Sequence, residues 1–449
     1  MTDPDRYHRH ARFESLFHSI EGSEFCMKGC LVVSMYVVEG GRTLNGEVRV
    51  QGSKNSTLPI LAASLLCRGE SVLLNCPRLS DVEASLTILR YIGCTARREG
   101  DTVIVDTTGV TRSDIPSALM HKMRSSIIFL GAMIARCDRV RMSFPGGCEL
   151  GPRPIDLHLN ALREMGVRIN EEHGELDCSI SDRLHGANIA LTIPSVGATE
   201  NIMIAAATAE GTTIISNAAR EPEITDLADY LIACGAKISG AGESTVIIDG
   251  VRRLRPAVHA IIPDRIVAAT LMAASAVTGS AIRFTGIIPS HLDSVIPVFR
   301  ECGCDIQRTP EGLSFRSPDR LRSPRLIRTM PYPGFPTDAQ APLMSVASVA
   351  DGLTVFVENM FESRYSHVSE LCRLGADIRV EGRVAVVDGV RRLLSAHVRA
   401  RDLRGAAALV VAALCARGKS RIDGIEYLER GYEDFEQVLS SLGADIRKV

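Results

Sequence analysis

The chain contains no tryptophan, and phenylalanine plus tyrosine make up only 4% of its 449 residues. A core without large rings has to reach native packing density with small aliphatic side chains. The scarcity also disfavours functions that stack bases on aromatic platforms. Long apolar runs are missing too. The longest, Ala406–Ala416, has eleven residues, well short of the ~18–20 that a membrane-spanning helix needs. Nor is there an excess of either charge: 51 Lys and Arg against 53 Asp and Glu leave a formal net charge of −2. That balance argues against a protein that coats nucleic acid. Thirteen cysteines in 449 residues are too few for a small disulfide-stapled scaffold. Cys67, Cys137, Cys234, Cys372 and Cys415 lie inside apolar helical patterns and are expected to act as small core residues. Cys26-x3-Cys30 and Cys302-x-Cys304 lack the second pair that a zinc site requires. No metal and no cofactor is expected, and the reducing bacterial cytoplasm is the expected location.

What the sequence does have is an internal repeat. A helical stretch ending in glycine recurs six times, closing at Gly93, Gly166, Gly235, Gly303, Gly375 and Gly443, with spacings of 73, 69, 68, 72 and 68. About 24 residues before five of them stands another glycine, at 69, 211, 279, 352 and 418, between an Ala-rich run and a β-branched one. Glycine there supplies the left-handed cap that ends a helix before a strand. In the second unit Cys137-Asp138 takes that place. The hexapeptide Asp249–Leu254 returns as Asp388–Leu393, an offset of 139, or two repeat lengths. The unit is therefore of β-α-β-α-β-β type, with hairpins such as Ile378–Val387 at its end. Six units are too many for one core, so two similar domains of three units each are expected, with a ligand site between them. The chain is expected to cross between them near Arg255–Pro263. Residues 54–260 are assigned to one domain, and 35–53 with 261–449 to the other. Residues 1–34 show neither periodicity nor a signal-peptide pattern and are expected to be an extension outside the fold, ahead of Met35.

Several segments carry candidate chemistry. Gly52-Ser-Lys-Asn-Ser56 joins a strand to an Ala-rich helix from Thr57, placing Lys54 and Asn55 where free N–H groups and the helix dipole favour an anion. The segment Pro145–Pro154 packs three glycines and three prolines around Cys148 and Arg153. It leads into a helix with the face Ile155, Leu159 and Leu162, which is the setting of a mobile lid or a binding loop. Cys148 is the one cysteine outside any apolar pattern, and a neighbouring arginine favours the reactive thiolate. His158, on the following helix, is expected to be structural. Arg124, Arg364 and Arg404 stand at junctions between elements, where a solvated or salt-bridged side chain is the plainer expectation for each alone. Asp338 opens a helix behind a proline-rich loop, a position that also suits a simple cap.

Taken together, these segments resemble the enolpyruvyl transferases, from about Leu44 to the C-terminus. The resemblance rests on Gly52-Ser-Lys-Asn55 with Leu58-Pro-Ile-Leu61, Pro145-Gly-Gly-Cys148 with Gly151-Pro-Arg-Pro-Ile-Asp-Leu157, Ser195-Val-Gly-Ala-Thr199, Gly334-Phe-Pro-Thr-Asp338-Ala-Gln340, and Arg430-Gly-Tyr432. It implies an α/β fold of two inside-out barrels, each of three βαβαββ repeats. The activity it implies is transfer of the enolpyruvyl group of phosphoenolpyruvate to the 3-hydroxyl of UDP-N-acetylglucosamine with release of phosphate, the first committed step towards peptidoglycan. The partners implied are those two small molecules, without nucleic acid or membrane.

Residue by residue, the resemblance makes Lys54, Asn55, Arg124, Arg153, Arg364 and Arg404 the phosphoenolpyruvate site, and bidentate arginines suit both its phosphate and its carboxylate. Cys148 matches the proton donor to the enol methylene, which small epoxides such as fosfomycin alkylate. Asp338 matches the general base. Cys148, Asp338, Lys54 and Arg404 are thus the catalytic candidates. Arg124, Arg153, Pro154, Ile155, Asp156, Leu157, Ser195, Val196, Gly197, Asp338 and Met360 match the sugar-nucleotide site. Gathering so many cations in one cleft without an anion should cost several kcal/mol.

The chain departs from the family pattern where a frequent lysine becomes Ile193 and where a basic residue becomes Ser80, with Arg78 nearby. Ala339 replaces a frequent methionine. Two other readings stand beside the first. The sister transfer onto shikimate 3-phosphate is disfavoured because Lys54-Asn55 is followed by Leu58-Pro-Ile60 and by the Cys148 loop. A non-catalytic or RNA-end-processing repeat protein is suggested by the basic stretch Arg391–Arg404 but opposed by the balanced charge.

Overall fold

The computed structural model describes residues 34–146 and 155–449. Among these residues are six four-stranded sheets. In the third repeat, Asn188–Ala190 runs parallel to Thr212–Ser216, which pairs antiparallel with Thr245–Asp249 and through it with Lys237–Ser239. Helices Val196–Ala206 and Pro222–Ala233 fill the two connections, giving the βαβαββ unit. The glycines that close the repeats all adopt φ between +94° and +107°, a conformation that side-chain-bearing residues rarely take. The glycines at 69, 211, 279, 352 and 418 also take positive φ, whereas Cys137, in the corresponding place, ends its helix in an extended conformation at φ −124° and ψ 139°, so no glycine is needed there.

Two sheets borrow their first strand. The sheet around Glu70–Leu74 is completed by Val258–Ala260, and the sheet around Ala281–Thr285 is completed by Asn45–Arg49. In the sixth sheet, Tyr36–Glu39 lies between Lys419–Asp423 and Asp445–Lys448, so the start and end of the described fold are knitted together. The chain crosses between halves twice, and the two crossings lie side by side. Gly52 pairs with Pro263, Ser53 N–H donates to Ile262 O at 2.7 Å, and Asp264 N–H donates to Gln51 O at 2.9 Å.

Two hydrophobic cores result. One collects residues from Leu58 to Ile261, the other Tyr36 to Val50 together with Val267 to Ile446. At the centre of the second, the helices Arg265–Val277, Thr337–Ala347 and Leu403–Cys415 pack on one another. In the last of these, Ala406, Ala407, Ala408, Ala412 and Ala413 are all buried. A helix that is apolar all round belongs inside a protein, and alanine lets three such helices converge. Not every cysteine follows the expected pattern. Cys67 and Cys234 are buried, but Cys137 and Cys415 are only partly so, and Cys372 is exposed. No helix of the described residues is long and apolar enough to cross a membrane.

The repeated hexapeptide has a steric explanation. Gly250 and Gly389 each run against the end of a central helix, donating to Gly211 O and Gly352 O. A Cβ would stand 1.8 Å from Ala209 O at Gly250 and 1.6 Å from Ala350 O at Gly389. Both obstacles are backbone and cannot swing aside. Gly389→Ala is therefore expected to destabilise the fold by roughly 2–3 kcal/mol. That should lower the melting midpoint by about 5 °C, whereas an unchanged midpoint would mean the strand end is free to move away.

Candidate active site

Lys54 is the first residue of helix Lys54–Ala63, whose N-cap Ser53 accepts from Ser56 N–H. The helix thus begins three residues earlier than expected from Thr57. Lys54 Nζ lies 2.7 Å from Asp81 Oδ2, and Arg430 Nε from the other half lies 3.0 Å from Asp81 Oδ1. One nearly buried carboxylate therefore holds a cation from each half. Burial pushes the Lys54 ammonium down and the Asp81 charge partly restores it. Asp264 is buried at the second crossing and accepts from Lys54 N–H at 3.2 Å while capping Ile266 and Val267. Burial pushes its carboxyl up, against the opposing charge of Arg404.

In the second half, Asp338 lies in the first turn of Thr337–Ala347. Its Oδ1 accepts from Arg364 Nη2 at 2.7 Å and its Oδ2 from Arg404 Nη2 at 2.8 Å. It acts as a bridge rather than a cap. Both guanidiniums are almost wholly buried, at 2% and 3% side-chain exposure. Arg404 follows Asp402, which caps Leu403–Cys415 by accepting from Arg404 N–H and Gly405 N–H. Its guanidinium lies over the Tyr432 ring, 5.5 Å from the centroid. Burial works against the Arg404 charge, but Asp338 and other neighbours outweigh it and its pKa rises. Arg364 also donates to Thr337 O at 3.1 Å. The buried Glu358 ties the same loop down, accepting from Thr337 Oγ1 at 3.0 Å and from Met360 N–H at 2.8 Å. Arg404 Nε and Nη1 and Arg364 Nε are buried without a hydrogen-bond partner. Buried donors of this kind call for an explanation, and an anionic ligand supplies one.

The charge cost expected from the sequence is thus largely offset, because Asp81, Asp264 and Asp338 are interleaved with the cations. Asp81 and Asp264 were not singled out from the sequence, and Arg430 was quoted only as part of a motif. Asp81 follows directly on Ser80, whose neighbourhood drew notice only for a missing basic residue. Arg78, two residues before Ser80, faces another way. Its side chain is 61% exposed and paired with Glu433 and Asp434 of the other half.

Arg124 begins the short turn Arg124–Ile128, and its Nη1 reaches Pro145 O and Gly146 O at 3.4 Å. Cys148, Arg153 and Pro154 lie outside the described residues. Ile155 is buried at the entry to helix Asp156–Glu164, Leu157 is half-buried, and Asp156 is exposed in the first turn. Ser195 caps Val196–Ala206 by accepting from Ala198 N–H at 3.3 Å. Val196 and Gly197 form the first turn beside it, and Gly197 packs against the His158 ring. Ile193, two residues ahead, is 61% exposed.

Two imidazoles in this region are buried. Burial, then the charge of Arg124, pushes His158 down to about 4. His367 also falls to about 4, through burial and Arg364 against the pull of Asp402. Both are depressed below the ordinary value near 6.5, so the unfolded chain binds protons that the native state refuses. Their contribution is fully present above about pH 6.5 and is lost as pH falls towards about 4, on the order of 3 kcal/mol for each ring. Urea unfolding should show this loss between about pH 7 and about pH 4.5, with a flatter slope in the double variant His158→Gln/His367→Gln. A double variant with the same slope as the parent would mean that both rings take up protons as readily in the folded protein as in the unfolded chain.

The fold is that of an enolpyruvyl transferase. The family model for EPSP synthase (3-phosphoshikimate 1-carboxyvinyltransferase) matches residues 38–439, and the chain belongs to that family. Among curated relatives it is 47% identical over 414 residues to UDP-N-acetylglucosamine 1-carboxyvinyltransferase 2 of Caldanaerobacter subterraneus subsp. tengcongensis, covering 92% of this chain and 99% of the relative. It is 46% identical to UDP-N-acetylglucosamine 1-carboxyvinyltransferase 1 of Symbiobacterium thermophilum, covering 92% and 95%. Among solved structures, the enolpyruvyl transferase NikO from Streptomyces tendae superposes with a TM-score of 0.84 at 26% identity, covering 93% of this chain and 99% of that one. An EPSP synthase from Acinetobacter baumannii, at 18% identity and a TM-score of 0.75, shares the fold.

Proposed function

We propose that the protein transfers the enolpyruvyl group of phosphoenolpyruvate to the 3-hydroxyl of UDP-N-acetylglucosamine, releasing phosphate. This would be the first committed step of peptidoglycan synthesis, serving cell shape and division in a bacterial cytoplasm. The observation that carries the reading is the Asp338 carboxylate held between Arg364 and Arg404, in a chain 45–47% identical to relatives named for this transfer. In this reading, the phosphate and carboxylate of phosphoenolpyruvate take the unpaired donors of Arg404 and Arg364, with Lys54, Asn55, Arg124 and Arg153 completing the anion site. As the substrate draws the guanidiniums to itself, an oxygen of Asp338 becomes available to accept the proton of the sugar hydroxyl. Cys148 protonates the enol methylene. The sugar nucleotide is held by Arg124, Arg153 and Pro154–Leu157, by the N-terminal turn at Ser195–Gly197, where N–H groups face an anion, and by Asp338 and Met360. The division into residues 54–260 against 35–53 plus 261–449 makes the cleft a site that closes on its substrates.

Phosphate release decides the matter. Incubation with phosphoenolpyruvate should release phosphate with UDP-N-acetylglucosamine as acceptor and not with shikimate 3-phosphate. Release only with the latter would move the protein to the sister reaction, and release with neither would refute both.

A further inference from the structure

Asn201 is fully buried in the second turn of Val196–Ala206, and none of the chemistry above uses it. Its carboxamide is inserted into a neighbouring helix. Ile127 O and Gly131 N are the i and i+4 groups that a continuous α-helix would join. Here the chain instead passes from the 3-10 turn Arg124–Ile128 into helix Phe129–Arg136. Asn201 Oδ1 accepts from Gly131 N–H at 2.7 Å, and Asn201 Nδ2 donates to Ile127 O at 3.2 Å. The side-chain amide thus stands in for a peptide group, which is a recognised cause of a local helix break. Its orientation is forced, since a backbone N–H only donates and a carbonyl only accepts. Asn201 Nδ2 also lies 3.1 Å from His158 Nδ1. The carboxamide donates there, which puts the imidazole proton on Nε2, at the edge that packs near Gly197. Gly131 makes the room, because a Cβ there would lie 2.3 Å from Asn201 Oδ1.

We propose that Asn201 is a positioning residue for the enolpyruvyl transfer: one carboxamide fixes the Arg124 turn, the His158 ring beside Gly197, and the helix that presents Ser195–Gly197. Withdrawing the amide lets Ile127 O and Gly131 N–H close into an ordinary helical bond. A 3-10 turn rises ~0.5 Å more per residue than an α-helix, so rewinding from residue 128 back to Arg124 moves the arginine by about 2 Å. Misplacement of a substrate-orienting group by about 1 Å can cost roughly 10²-fold in rate.

The proposal rests on the function given above, so its test includes a readout independent of turnover. Asn201→Ala removes the amide, and Asn201→Asp keeps its size but sets an acceptor against Ile127 O and His158 Nδ1. Both variants should lower kcat/KM for phosphoenolpyruvate roughly 10–100-fold, mainly through KM, because Arg124 is displaced. A purely structural residue would lower the melting midpoint and leave KM alone. Ring-nitrogen NMR should find His158 protonated at Nε2 in the parent and at Nδ1 in Asn201→Asp. If Asn201→Ala does not fold, the near-isosteric Asn201→Asp carries the kinetic test. An unchanged KM for phosphoenolpyruvate in a folded variant, or an Nδ1-protonated ring in the parent, would overturn the proposal. A parent that releases no phosphate with either acceptor would count against the transfer itself, while the ring tautomer would still be measured.

Discussion

Asp338→Asn is expected to lower kcat by about 10²–10⁴-fold, the range of a lost general acid–base group, without raising KM for phosphoenolpyruvate. The substitution removes the proton acceptor, and it also removes the charge that holds Arg364 and Arg404 at 2.7 Å and 2.8 Å. Two nearly buried guanidiniums are then left without that counter-charge, a situation that typically destabilises by about 3–5 kcal/mol. An anionic substrate would restore the balance. The empty variant should therefore melt lower than the parent and be stabilised more by phosphoenolpyruvate. A kcat within tenfold of the parent would remove Asp338 from the chemistry. A raised KM with kcat intact would make it a binding group instead.

The repeat was legible because its punctuation is local. Each closing glycine takes a positive φ, a requirement of one residue on its own backbone. The same reasoning located Lys54 at a helix start and Arg404 at a junction. It could not decide which sheet Asn45–Arg49 joins, because a strand of five residues carries no record of its partner. Its pairing with Ala281–Thr285, more than 200 residues away, is set by the two side-by-side crossings.

The acids were harder to find for a related reason. Asp81 and Asp264 look like ordinary helix-start carboxylates in sequence, and Asp264 does cap a helix. Only the meeting of the halves brings Lys54 and Arg430 onto Asp81 and the Lys54 N–H onto Asp264. Asn201 is likewise silent in sequence, since nothing local distinguishes an amide that will complete a helix 70 to 74 residues earlier.

Cys148→Ala and Cys148→Ser should each lose several orders of magnitude in turnover, at or beyond the ~10²–10⁴-fold usual for an acid–base group. Protonating the enol methylene needs an acid that comes close and gives up a proton, and neither side chain is one at neutral pH. Cys148→Asp should keep substantial turnover, because a carboxylic acid can do that work. It should nevertheless escape alkylation by small epoxide analogues of phosphoenolpyruvate such as fosfomycin, since a carboxylate is a far weaker nucleophile toward electrophilic carbon than a thiolate. In the parent, the epoxide should label Cys148 and do so faster with UDP-N-acetylglucosamine bound. Five of the other cysteines compete poorly: burial raises the thiol pKa to about 12 at Cys76, Cys94, Cys178, Cys302 and Cys304, leaving almost no thiolate. Cys372 is the useful internal control because it is exposed but lies on helix Val368–Arg373, outside the proposed anion site. Peptide mapping that found the label on Cys372, or full activity in Cys148→Ala, would remove Cys148 from the mechanism. A label confined to Cys148 would show that the epoxide is steered there, since exposure alone would have favoured Cys372.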